Sequence, residues 1–289
     1  LLGRGVERFE ALRDLEFERV VTRTVLVLLV LALVPALRVA GLRSPSDIGL
    51  GRVPGRWRHL ALAFAGGMAS MGLLFGLGLL QGAYVIAPGA MSKVLSELVL
   101  FAGGAALVAL IEETLFRGGL FGAVRARTRF WTAALFSSQL FSMVHFMRPE
   151  PGISVAHAHW NSAFLLLPDV LEPVHALEHY FPFCLTLILI GLALCLLYEL
   201  TGSLFAPIGL HAGWILVLRG GSLVFERVPD EMPWFFGSDA QVAKSWAAAI
   251  TAGLVVLGLA LWRRVRASGQ REGPTRVTPA RADPDPTST

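Results

Sequence analysis

The chain has 289 residues, 54% of them hydrophobic and 16% charged, with a mean hydropathy of +0.61 and a formal net charge of +4. A soluble domain carries about a quarter charged residues, so the composition excludes an ordinary soluble enzyme and points to a helical integral membrane protein. Short alternating segments, the mark of a membrane β-barrel, are absent. The positive charge sits in Arg-rich ends and loops, which suits an anionic lipid surface; no nucleic-acid partner is expected.

Residues 1–23 place Val6, Phe9, Leu12 and Leu15 at three-residue steps, with Arg4, Arg8, Arg13, Arg19 and five acidic residues between them. That pattern predicts an amphipathic surface helix and lacks the unbroken apolar core of a secretory signal. Seven apolar runs follow, at 24–42, 59–87, 94–122, 131–147, 183–200, 204–218 and 245–262. The expected fold is therefore all-α: a polytopic bundle of about seven to eight transmembrane helices around a polar cavity, forming one unit over 24–262.

Two of the runs are too long for an upright span of about 20 residues and must tilt, kink or extend beyond the hydrocarbon. The runs at 131–147 and 204–218 are short and carry polar residues, which is tolerable only where protein surrounds them. Cys184 and Cys195 lie about 16 Å apart along one expected helix, too far for a disulfide. Residues 263–289, with six Arg and four Pro, read as a disordered tail.

If all seven runs cross, the end bearing Arg38 to Arg58, Arg125 to Arg129 and the tail holds fourteen basic residues against ten on the other. The positive-inside rule then places the Arg-rich end and the tail in the cytoplasm of a multi-pass cell-membrane protein.

One run, "IEETLFRGG" at 111–119, holds charges where apolar side chains belong. Ionisable groups there cost several kcal/mol each and are paired or functional. Glu113 and Arg117 stand at i and i+4, the favoured orientation for a helical ion pair. Glu112 points about 100° away, has no partner on its own helix, and must find one on another helix or stay protonated. Downstream, Phe141 and His145 occur in "FSMVH", where Ser138, Ser142 and His145 form a polar stripe. His211 sits in "GSLFAPIGLHAGW". Measured from the Arg125–Arg129 end, Glu112 is about 15 Å deep, His145 about 21 Å and His211 about 10 Å. Helix tilt can bring the three into one cavity open to the Arg-rich, cytoplasmic end.

These motifs resemble those of the CPBP family of CAAX-protease and bacteriocin-processing (ABI) membrane endopeptidases, which includes the type II CAAX prenyl endopeptidases. Glu112, Glu113 and Arg117 match its Glu-Glu-x-x-x-Arg motif, and Phe141 and His145 its Phe-x-x-x-His motif. His211 begins its His-x-x-x-Asn/Asp motif, whose last position here is Ile215. The resemblance covers about 94–218.

It implies a metal-independent intramembrane endopeptidase with no cofactor, acting on a membrane-associated peptide or protein in the lipid bilayer. Glu112 would be the general base on a water that His145 helps to position, and His211 would donate to the oxyanion. Glu113 and Arg117 would brace the site. At position 215 the family's second donor is missing. Either Trp214 or a backbone group stands in, or hydrolysis is slow or lost, which keeps a non-catalytic scaffold or immunity-like protein as an alternative.

His175, Glu178 and His179 spell the His-x-x-Glu-His zinc pattern, and a zinc metalloprotease built on them is a second alternative. A histidine-bearing loop between Pro173 and Pro182 is the simpler account. "HAHWN" at 157–161 reads as a polar turn with Trp160 at the interface. A transporter, with Glu112 as a proton-linked site, finds no inverted repeat to support it.

Overall fold

The computed structural model describes residues 24, 27, 28, 31, 32, 35, 37–39, 41–146, 177–228, 231–237 and 242–269. The expected N-terminal amphipathic segment, the 157–161 turn, His175 and the tail beyond 269 lie outside them, and of Glu178 and His179 only the helical backbone is described. The described positions between 24 and 39 are helical.

Helix α1 (Arg56–Leu80) does not continue through the apolar run to residue 87, as the sequence suggested. It stops because Gly82 takes a left-handed φ of 74°, open to glycine without penalty. The Ala83 N–H returns to the Gly78 carbonyl at 2.8 Å, closing the helix end. The chain then forms β1 (Tyr84–Ile86), paired antiparallel with β2 (Phe225–Arg227), Tyr84 opposite Arg227. The apolar run at 59–87 is thus the part of α1 from His59 to Leu80 followed by a turn and a short strand.

Helix α2 (Ala90–Glu113) passes without a break into a π-helical stretch, Thr114–Phe121, and a last α-helical turn, Gly122–Arg125. This answers the other over-long run by extension and a change of helical winding. Helices α3 (Phe130–Phe146) and α4 (Leu177–Thr201) follow, and α5 (Phe205–Val224) runs into β2. A short α6 (Pro233–Phe236) precedes α7 (Trp246–Gly269). The run expected to end at 218 reaches Val224, which makes α5 about 30 Å long. Every residue from Ala206 to Trp214 is buried, as its polar content requires.

Helix α7 continues seven residues past the expected boundary at 262. Arg and Ala are good helix formers, and Arg266 is anchored to the Leu200 carbonyl at 2.7 Å. Five of these helices are long and apolar enough to cross a membrane. The 17-residue α3 and the helical positions at 24–39 correspond to the two remaining runs.

Helices α1 and α5 meet through backbone. A Cβ on Gly67 would collide with the Leu210 carbonyl, one on Gly209 with that of Leu60, and one on Gly213 with that of Phe64. Small residues let two membrane helices approach this closely, since lipid supplies no hydrophobic drive between them. The Arg-rich end is clamped by Glu199, which binds Arg125 at 2.8 Å and lies 3.8 Å from Arg263. In the adjoining loop the backbone N–H groups of Ser44 and Arg43 donate to Asp47 and hold its carboxyl below the usual range. This contribution to loop order is present above the unfolded value of 3.8 and is lost as the pH falls through the lowered folded value.

Candidate active site

The π-helical winding begins one residue after the paired glutamates. Such segments occur often at functional sites. Here Ser137 on α3 donates to the Phe116 carbonyl at 3.1 Å and ties the segment to its neighbour. Glu113 and Arg117 are completely buried and bonded at 2.9 Å, as their spacing predicted. The same Glu113 oxygen accepts from His211 Nδ1 at 2.8 Å, so one carboxylate joins α2 to α5. Arg117 also reaches the Gly191 carbonyl on α4 at 3.5 Å, and its guanidinium lies 4.6 Å from the Phe141 ring centre, a cation–π distance.

Glu112 finds its partners on other helices. Its Oε2 lies 3.7 Å from His145 Nε2 and 3.8 Å from His211 Nε2, with side chains 22%, 19% and 8% exposed. Those separations are too long for direct hydrogen bonds. His145 Nδ1 lies 2.8 Å from the Phe141 carbonyl, four residues earlier. Only an Nδ1–H satisfies a carbonyl, so in the neutral ring Nε2 carries the lone pair toward Glu112. The Glu113 carboxylate engages His211 Nδ1 and leaves its Nε2 directed at Glu112. The Phe141 ring centre sits 4.3 Å from that of His145 and 6.0 Å from that of His211.

Two expectations need revision. The Ser138–Ser142–His145 stripe does not act as one face: Ser142 donates to the Cys184 carbonyl at 3.3 Å and Ser138 packs against Gly191, both on α4. Trp214 is buried and gives its single indole N–H to Ser70 Oγ at 2.9 Å, which leaves it no donor for an oxyanion. At the Arg-rich end Gly118 packs against Ile48 and Leu204, and the Leu204 N–H donates to the Gly49 carbonyl. His145 stands in the last turn of α3, at the opposite end of the bundle, because α3 starts at the Arg-rich end and is only 17 residues long.

Gly191, Ser70 and Ser137 were not legible beforehand. Each acts across a helix contact distant in sequence, and a glycine or serine inside an apolar run carries no local mark of that. The close fit at Gly191 is testable. A Cβ there would lie 2.6 Å from Ser138 Oγ. Gly191→Ala is expected to cost about 1–3 kcal/mol by overpacking, read as a lower thermal midpoint in detergent. Among the described residues no group of three His, Cys, Asp or Glu side chains is placed to hold a metal ion.

The fold and site define a polytopic helical membrane protein whose buried carboxylate–imidazole cluster joins three helices. Residues 94–217, from the start of α2's apolar run to the middle of α5, match the family model described as type II CAAX prenyl endopeptidase Rce1-like. No curated protein and no solved structure matches the chain.

Proposed function

We propose that this protein is an intramembrane endopeptidase in which Glu112, aided by His145, activates a water molecule against a peptide carbonyl. The observation that carries the reading is the pair of 3.7 and 3.8 Å gaps from Glu112 Oε2 to the two imidazole Nε2 atoms. Gaps of that size between polar atoms suit one shared water. Glu112 takes a proton from that water as its oxygen attacks, and His145 Nε2 accepts the second O–H and orients it. His211 in its doubly protonated form donates from Nε2 to the developing oxyanion, its charge balanced by Glu113 on the Nδ1 side. Glu112 then passes its proton to the leaving amine, so every proton is accounted for. Arg117 offsets the charge of Glu113 and fixes its position.

The substrate is a membrane-associated peptide or protein, in keeping with the family described for residues 94–217. The positive-inside rule favours a cytoplasmic Arg-rich end, where the described residues hold eleven Arg against Asp47 and Glu199. The test compares membrane proteomes of cells carrying the native protein or Glu112→Gln. Accumulation of uncleaved precursors only with the variant supports proteolysis; identical proteomes contradict it.

One observation favours a second reading, a non-catalytic scaffold on the same bundle. Ile215 packs with the apolar cluster of Ala109, Leu204, Ile208 and Ala212, where a polar donor would otherwise stand. Loss of one oxyanion donor typically costs about 10²–10³ in rate. Ile215→Asn is therefore expected to speed hydrolysis by roughly tenfold or more. A rate left at zero in both proteins favours the scaffold.

A further inference from the structure

A groove of about 360 Å³ lies outside the catalytic cluster, with α1 and α7 as walls and α4 and α5 as floor. That volume falls in the range of small-molecule sites, about 300–1,000 Å³. Leu62, Gly66, Leu197, Leu210, Val255 and Trp262 line it, and almost all of its surface is apolar. It extends from His59 to Gly66 on α1 and from Trp262 to Val255 on α7, about 10 Å inward from the Arg-rich end. The Thr201 hydroxyl in its lining is already spent on the Leu197 carbonyl at 2.7 Å. A peptide backbone laid here would find almost no hydrogen-bond partners, whereas a hydrocarbon chain needs none.

The mouth differs from the interior. His59 Nδ1 is buried there with no hydrogen-bond partner. Arg266 lies over the Trp262 ring at 5.3 Å and spends one N–H on the Leu200 carbonyl. Arg266 belongs to an end of the bundle that holds eleven Arg and two carboxylates among the described residues. Such an end attracts anionic headgroups. We propose that the groove holds one acyl chain of an anionic glycerophospholipid, with its phosphate at His59 and Arg266. The site is separated from the catalytic cluster by α5, on which Leu210 faces the groove while His211 faces Glu113, and it does not depend on the hydrolytic reading.

The full-length protein in detergent is titrated with phosphatidylglycerol and with phosphatidylcholine, both carrying brominated acyl chains, while tryptophan fluorescence is read. The signal of Trp262 is isolated by comparison with Trp262→Phe. Half-quenching is expected at a concentration roughly tenfold lower for phosphatidylglycerol. Replacing His59 and Arg266 by Ala removes that preference. Gly66→Leu removes the quenching by either lipid; its side chain has room, since a Cβ at Gly66 meets nothing within 4 Å. Val255→Phe fills the groove from the other wall as a second variant. Equal half-quenching by the two lipids, or quenching unchanged by both groove-filling variants, overturns the proposal.

Discussion

Glu112→Gln is expected to lower peptide hydrolysis by about 10²–10⁴-fold, the usual range for a positioned general base. The amide keeps the shape of the side chain and removes the carboxylate that takes the water proton in the proposed step. Glu112 is 22% exposed and is not part of the buried Glu113–Arg117 pair, so the change strands no buried charge. The variant should therefore insert and unfold like the native protein. Retained hydrolysis in a folded Glu112→Gln protein would refute its role as base, and loss of folding would mean that the carboxylate is structural.

Arg117→Ala is expected to act in the opposite way, through stability. The guanidinium is fully buried and holds Glu113, the Gly191 carbonyl and the Phe141 ring together. Removing one partner of a buried pair typically costs about 3–5 kcal/mol because the other charge is left uncompensated. Among the described residues Glu113 would keep only His211, at 2.8 Å, as a partner. Thermal or denaturant unfolding in detergent reads the loss directly. A second substitution, Glu113→Gln, should recover part of the stability by removing the stranded charge. A stable but inactive Arg117→Ala protein would instead give the arginine a direct part in the chemistry.

These two residues also show what the sequence could convey. The Glu113–Arg117 pair was legible because both partners lie on one helix at a fixed spacing. Glu112 was legible as an unmet need: a membrane carboxylate without a local partner implies one elsewhere, and His145 and His211 were the ionisable residues of the two short runs. The stop at Gly82 was harder to read. Gly82 stands in an apolar stretch, and its turn is fixed by the later pairing of Tyr84 with Arg227, far along the chain. The π-helical winding at Thr114–Phe121 likewise has no period of its own in eight residues, and is tied to α3 through Ser137.

Depth along a helix can be counted from sequence, but the packing of Ile48 and Leu204 against Gly118 at the Arg-rich end cannot. Trp214 was considered a donor because of its place beside position 215. Its indole is committed to Ser70, a residue on α1 that nothing in the local sequence links to it.

The central claim is that Glu112 and His145 act as a unit on one water. It is tested most directly by a double-mutant cycle, using a precursor that accumulates with the inactive protein as substrate for reconstituted vesicles. Residues that act as a unit are strongly non-additive. Glu112→Gln with His145→Ala should therefore cleave no more slowly than the slower single variant. Multiplication of the two single losses, with both variants folded, would show that the side chains work separately and would contradict the shared-water mechanism.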